Sequence, residues 1–149
     1  MSPAAGAAAG ACVFCRIVAE AEPAAVVFAD EVAVAFLDRR PLFVGHTLVV
    51  PRIHHGTLAD LPVETIGPLF ERVQRLSAAM ESGLGHAGTF VAMNNRISQS
   101  VAHLHVHVVP RNPKDGLRGF FWPRTSYHDD AHMAAVAAEV GQAYTRLVP

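Results

Sequence analysis

Over the first fifty residues, apolar positions fall into short β-branched runs broken by turn residues, and beyond them a longer three-and-four rhythm sets in. Val26-Val27-Phe28 and Val32 to Leu37 flank the turn-like pair Asp30-Glu31, which predicts two paired strands. Thr47-Leu48-Val49-Val50 is a third such run, entered after Gly45 and closed by Pro51, which has no N–H for a central ladder. From Pro62 to Ser82 the apolar residues Ile66, Leu69, Phe70, Val73 and Leu76 share one helical face, with Asp60 and Pro62 suited to its entry and Gly83 to its exit. After the loop Gly83 to Gly88, the segments Thr89 to Met93 and Ala102 to Val109 predict two more strands. Met133, Val136, Val140, Tyr144 and Leu147 predict a second helix from about Asp129 to Leu147. Cys12 to Glu20 is a partly apolar segment assigned to no element. The result is an α+β chain with no internal repeat and no linker, read as a disordered tail over residues 1–11 and one domain over residues 12–149.

Composition narrows the class. The chain has 149 residues, 51% of them hydrophobic, enough for one core without disulfide staples. A formal net charge of −1 offers no basic excess for gripping a nucleic-acid backbone, so nucleic acid is excluded as a partner and a small charged ligand is not. The opening MSPAAGAAAGA has neither a charged n-region nor an apolar h-region, and no run approaches the roughly 20 apolar residues of a membrane span. A cytoplasmic protein without membrane contact is expected. The two cysteines, Cys12 and Cys15, have two residues between them and read as a metal or redox pair more readily than as a structural disulfide; the metal reading ranks above the redox one, which wants a strand leading into the motif where this chain has a tail, and two buried structural thiols are the plain alternative.

Nine histidines are the unusual feature of the composition, and three of them lie in His103-Leu104-His105-Val106-His107-Val108-Val109. On a strand, successive side chains alternate, so the three imidazoles share one face and Leu104, Val106 and Val108 the other. Their roots then lie about 7 Å apart, close enough to surround one small anion. Histidine suits such a site because a neutral ring attacks while a neighbour stabilises negative charge or gives up a proton. An ordinary histidine-rich surface and a zinc chelate on alternate histidines are the competing readings.

The run HLHVHVV resembles the signature of the histidine triad (HIT) superfamily. The resemblance continues in Phe14-Cys15-Arg16-Ile17, in Val32 to Asp38 after the acidic turn, in Gly45-His46-Thr47-Leu48-Val49-Val50-Pro51, and in Gln99-Ser100-Val101 ahead of the triad. It covers roughly residues 12–125 and points to the Hint-like branch of bacterial zinc-binding type. What it implies is an α+β HIT fold with an antiparallel five-stranded sheet, one long helix and a C-terminal helix, paired into a homodimer. It also implies hydrolysis or transfer at the α-phosphorus of a purine nucleoside phosphoramidate or related nucleotide conjugate; a non-catalytic nucleotide-binding protein and a dinucleoside polyphosphate hydrolase are the alternatives.

Carried over by position, His105 is the nucleophile that forms a nucleotidyl-imidazole, His107 contacts the phosphate, and His46 stands near the phosphate and leaving group. Asp38 falls to the ribose hydroxyls, in keeping with a carboxylate's capacity to accept two hydrogen bonds. Asn94, Gln99 and Ser100 fall near the α-phosphate, and Phe14, Ile17 and Phe36 where the family builds its base pocket. The loop before Gln99 departs from the common pattern: it is short and carries Arg96, a cation suited to a polyphosphate. The resemblance further implies a structural zinc on Cys12, Cys15, His54 and His103, and no organic cofactor. Gly116 to Arg124, with its aromatics and arginines, reads equally as a substrate flap or as an apolar anchor, and His55, His86, His128 and His132 read as surface residues.

Overall fold

The computed structural model describes residues 10–119 and 124–147. The chain divides into two compact units, Met1–Asp115 and Gly116–Pro149. The first holds a short helix α1 (Val13–Val18), strands β1 (Val26–Ala29), β2 (Ala33–Leu37) and β3 (Thr47–Pro51), the long helix α2 (Val63–Ala78), and strands β4 (Gly88–Ala92) and β5 (Val106–Arg111). The strands form one antiparallel sheet in the order β1-β2-β3-β5-β4. The second holds helix α3 (Asp130–Thr145), capped by Asp129, whose carboxylate accepts the His132 backbone N–H at 2.7 Å. Met133, Val140 and Tyr144 on α3 are exposed. No helix among the described residues is long and apolar enough to cross a membrane.

Strand alternation gives the sheet two apolar faces. Ala33, Ala35, Val49, Leu104, Val106 and Val108 point one way and pack against Leu69, Val73 and Leu76 of α2 and Met80 beyond it. Val34, Phe36, Leu48 and Val50 point the other way, against Phe14 and Ile17 of α1. Register puts Phe36 opposite Leu48 and Leu48 opposite His107, so these three side chains form one row across the α1 face. Asp30 makes the β1–β2 turn: its Oδ1 accepts the N–H groups of Val32 and Ala33 at 2.9 and 3.0 Å, and its Oδ2 accepts from Arg72 of α2 at 2.8 Å. Arg52 adds a bond from its Nε to the Asp30 carbonyl. That turn therefore ties the sheet to the long helix.

Four expectations need correction. Cys12 to Glu20 contains a helix, α1, and Gly10 and Ala11 of the expected tail are themselves helical, while residues 1–9 lie outside the described residues. The long helix starts at Val63 and ends in a π-helical turn, Ala79–Gly83, which turns Met80 into the core. Pro51 does not follow β3 but is its last residue, opposite Ala33. The histidine strand begins only at Val106, so His103 and His105 precede it. The Leu104 N–H goes to the His55 carbonyl at 2.7 Å instead of to a neighbouring strand. The expected flap or anchor, Gly116 to Arg124, includes residues 120–123, which lie outside the described residues.

Candidate functional site

Although His103, Leu104 and His105 lie ahead of β5, their side chains keep the alternation of a strand. Leu104 enters the α2-side core, whereas His105 and His107 face a cavity of about 780 Å3 on the α1 side. Phe14, Ile17, Phe36, Asp38 and Ser100 line the same cavity. Rings of His105 and His107 are 5.0 Å apart between centroids, and Phe14 meets His105 edge-on at 5.1 Å and Phe36 at 5.3 Å. The lining therefore combines apolar and aromatic side chains with two imidazoles, a carboxylate and a hydroxyl.

Backbone groups fix the protons on these rings. The His103 carbonyl lies 2.7 Å from His105 Nδ1, and a carbonyl only accepts, so Nδ1 carries the proton and Nε2 keeps its lone pair. The Leu42 N–H donates to His46 Nδ1 at 3.1 Å, which leaves the His46 proton on Nε2, 2.9 Å from His107 Nδ1. His107 accepts there, so as a neutral ring its proton sits on Nε2. Burial, the nearby His105 and His46 push His107 down to about 4 against the pull of Asp38, and burial likewise lowers His46. Both rings are neutral at pH 7. His46 is only 4% exposed and stands behind His107, with Asp38 Oδ2 3.8 Å from its Nε2. Gly45, at φ +100°, makes the turn that places His46 immediately ahead of β3, a conformation that an L side chain rarely adopts.

A second cluster lies beside the cavity. Ligand atoms of Cys12, Cys15, His54 and His103 all fall within 4.8 Å of one another. His103 Nδ1 is 3.5 Å from both sulfurs, and Cys15 Sγ is 3.2 Å from His54 Nδ1. Zinc bonds of about 2.3 Å to sulfur and about 2.0 Å to nitrogen at tetrahedral angles imply sulfur–nitrogen edges of about 3.5 Å. The spacing fits. His103, wholly buried, places its Nε2 2.9 Å from the Pro51 carbonyl, so Nε2 donates and Nδ1 turns its lone pair toward the thiols, as a metal ligand's outer partner does. Burial and the adjacent Cys12 push the Cys15 thiol up to about 11, and a divalent ion would supply the positive charge that holds thiolates there. Asp38, His46 and His107 form another close group. The 2.9 Å between His46 Nε2 and His107 Nδ1 is a direct hydrogen bond, shorter than the roughly 3.3 Å between two nitrogens on one tetrahedral ion, so this group is satisfied without one.

Asn94 and Gln99 are not brought to the cavity. Asn94 Nδ2 donates to the Ser98 carbonyl at 3.2 Å; Gln99 Nε2 donates to the Gly56 carbonyl at 2.6 Å, and its Oε1 accepts the Arg96 N–H at 2.8 Å. Arg96 is exposed and outside the cavity lining, at φ 70°. Sequence reasoning missed Val13, Leu48, Val101 and Arg39 in the lining. Val13 shares a helical spacing with Phe14 and Ile17, but six residues are too few to announce a helix, and Leu48 joins the lining through a register with His107 that the sequence does not reveal. Arg39 carried no periodic signal.

The HIT domain family matches residues 19–114. The chain is 31% identical over 108 residues to an adenylylsulfatase of Arabidopsis thaliana, a stretch covering 71% of this chain and 55% of that protein. It is 33% identical over 109 residues to the adenosine 5'-monophosphoramidase of Saccharomyces cerevisiae, covering 72% and 67%. The structure resembles that of a zinc-bound histidine triad family protein from Mycobacterium smegmatis, with a TM-score of 0.70 and 35% identity, covering 91% of this chain and 99% of that one.

Proposed function

The chain belongs to the HIT family, and from that premise we propose that it is a hydrolase or nucleotidyl transferase acting at the α-phosphate of a purine nucleoside phosphoramidate or related nucleotide conjugate. The observation that carries this reading is the pair of backbone groups on the imidazoles: the His103 carbonyl at His105 Nδ1 and the Leu42 N–H at His46 Nδ1. They leave His105 Nε2 with a free lone pair beside His107, whose remaining proton is on Nε2. In this reading the base packs against Phe14, Ile17 and Phe36, the ribose hydroxyls meet Asp38, and the α-phosphate lies among His105, His107 and Ser100, all of which line the one cavity.

Attack by His105 Nε2 on the α-phosphorus forms a phosphorus–nitrogen bond and breaks the bond to the leaving nitrogen, which departs as a neutral amine from the N-protonated substrate. The positive charge on the nucleotidyl-imidazole is held by the His103 carbonyl, and the His107 Nε2–H bonds a phosphoryl oxygen throughout. Water then attacks phosphorus, the bond to Nε2 breaks, and the water's proton passes to solvent. Two easier displacements replace one hard one.

The test is side-by-side turnover of adenosine phosphoramidate, a diadenosine polyphosphate and an acyl-adenylate by the intact protein and by His105→Gly. The variant is expected to lose turnover by about 10³-fold or more while keeping nucleotide affinity. Near-normal turnover by it rejects the nucleophile. The proposal includes a structural zinc on Cys12, Cys15, His54 and His103, whose four protein ligands close its sphere and whose role is to hold α1 in place. Elemental analysis of protein purified without added metal tests this, beside a Cys12→Ser, Cys15→Ser double variant. It also includes a homodimer, which a monomer in sedimentation at micromolar concentration would contradict.

A further inference from the structure

Helix α1 belongs to two sites at once. On one side Cys12, its N-cap, and Cys15, in its first turn, present sulfurs to His54 and His103. On the other, Val13, Phe14 and Ile17 form a wall of the cavity, with the Phe14 ring against both His105 and Phe36. Phe14 thus lies between the two cysteines in sequence and between cluster and cavity in space. Both thiols are free and partly exposed. The helix has only six residues, too few to be stable alone, so its position depends on what fastens it.

We propose that Cys12 and Cys15 form a peroxide-responsive pair that controls nucleotide affinity through the position of Phe14; this rests on the zinc and nucleotide sites proposed above. One thiolate attacks a peroxide oxygen, the O–O bond breaks, and a sulfenic acid and one water form as a proton is taken up. The second thiolate attacks the sulfenic sulfur, the S–S bond forms, and hydroxide leaves as a second water with a second proton. Two electrons pass from the sulfurs to the peroxide, the zinc is released as the divalent ion, and a dithiol reductant reverses the step. Around a tetrahedral zinc the sulfurs stand about 3.8 Å apart, whereas a disulfide draws them to about 2.05 Å. That contraction takes both sulfurs away from His54 and His103 and turns the helical residues between them. The cavity wall moves with them.

The experiment is calorimetric titration of AMP into the full chain as purified, after hydrogen peroxide, and after re-reduction with zinc restored, with thiols and released zinc counted in parallel. Oxidation is expected to consume two thiols, release one zinc and raise the Kd for AMP about tenfold, with recovery on reduction; tenfold is about 1.4 kcal/mol, the scale of one lost aromatic contact. Phe14→Ala is expected to bind AMP more weakly at the outset and to lose most of the response, which distinguishes movement of the wall from general unfolding. Unchanged affinity after both thiols and the zinc are gone overturns the inference alone, as does an equal response in Phe14→Ala. Reduced protein that holds no zinc or binds no AMP overturns it together with the reading beneath it.

Discussion

Burial of the His107 ring makes a specific demand on stability in acid. His107, held down to about 4 by burial first and then by His105 and His46, has an ordinary value of 6.5 once unfolded. Between those values the unfolded chain binds a proton that the folded chain refuses, so stability rises with pH across this window. The contribution is complete above about 6.5 and is lost as pH falls toward 4. Two and a half units correspond to about 3 kcal/mol for this one ring. His107→Asn removes the titrating group while setting an amide oxygen where Nδ1 accepts from His46 Nε2. Urea unfolding of both proteins, stepped from about pH 7 to about pH 4, reads the difference. Ligand protonation at the cysteine cluster and titration of the carboxylates are common to both and cancel. The intact protein is expected to lose about 3 kcal/mol more than the variant over that range. Parallel curves, or a variant that is the more acid-sensitive, would refute the reasoning.

Three further outcomes follow from packing and ligation. Leu104→Ala opens a hole in the α2-side core at a wholly buried position, and a denaturant melt should record a loss of about 3 kcal/mol; less than about 1 kcal/mol would mean the site collapses freely. Asp30→Ala leaves the N–H groups of Val32 and Ala33 and the Arg72 side chain, 13% exposed, short of a partner, and thermal melts should show about 2 kcal/mol lost, because Glu31 still holds one arm of the guanidinium at 3.0 Å. Removing metal with a strong chelator should lower the melting temperature and raise KM about tenfold while kcat at saturation stays within about threefold; a kcat that falls with KM unchanged would count against a role confined to α1.

Much of this fold was legible because its elements are long enough to carry a run or a period. Ala33 to Leu37 and Thr47 to Pro51 are unbroken apolar runs bounded by turn residues, as strands covered on both faces must be, and Val63 to Ala78 keeps a three-and-four-residue spacing. Helix α1 was not, since six residues hold less than two helical turns and its cysteines drew attention to ligation before periodicity. Of the site, His105, His107, Phe14, Ile17, Phe36, Asp38 and Ser100 do converge on one cavity, and the four metal-binding candidates on one cluster. Asn94 and Gln99 do not join them because amides are claimed by whichever backbone group is near, here the carbonyls of Ser98 and Gly56, and no pattern in the sequence announces a carbonyl.

The same limit hides the most consequential feature, the point at which β5 joins the ladder. β3 pairs with β5 from Thr47 opposite Val108 only as far as Val49 opposite Val106, and its last residue, Pro51, has no N–H to offer. Residues 103–105 are thereby freed from the ladder without losing their alternation. The freed Pro51 carbonyl accepts from His103 Nε2, which turns His103 Nδ1 to the thiols, and the freed His103 carbonyl accepts from His105 Nδ1, which turns His105 Nε2 to the cavity. Had the ladder run on to His103, strand pairing would have competed for these carbonyls, and the two rings would have been free to take either tautomer. One early ending of a strand thus sets the proton positions of both clusters, and it makes His103 a second link, beside Phe14, between the cysteines and the His105 ring that faces the cavity.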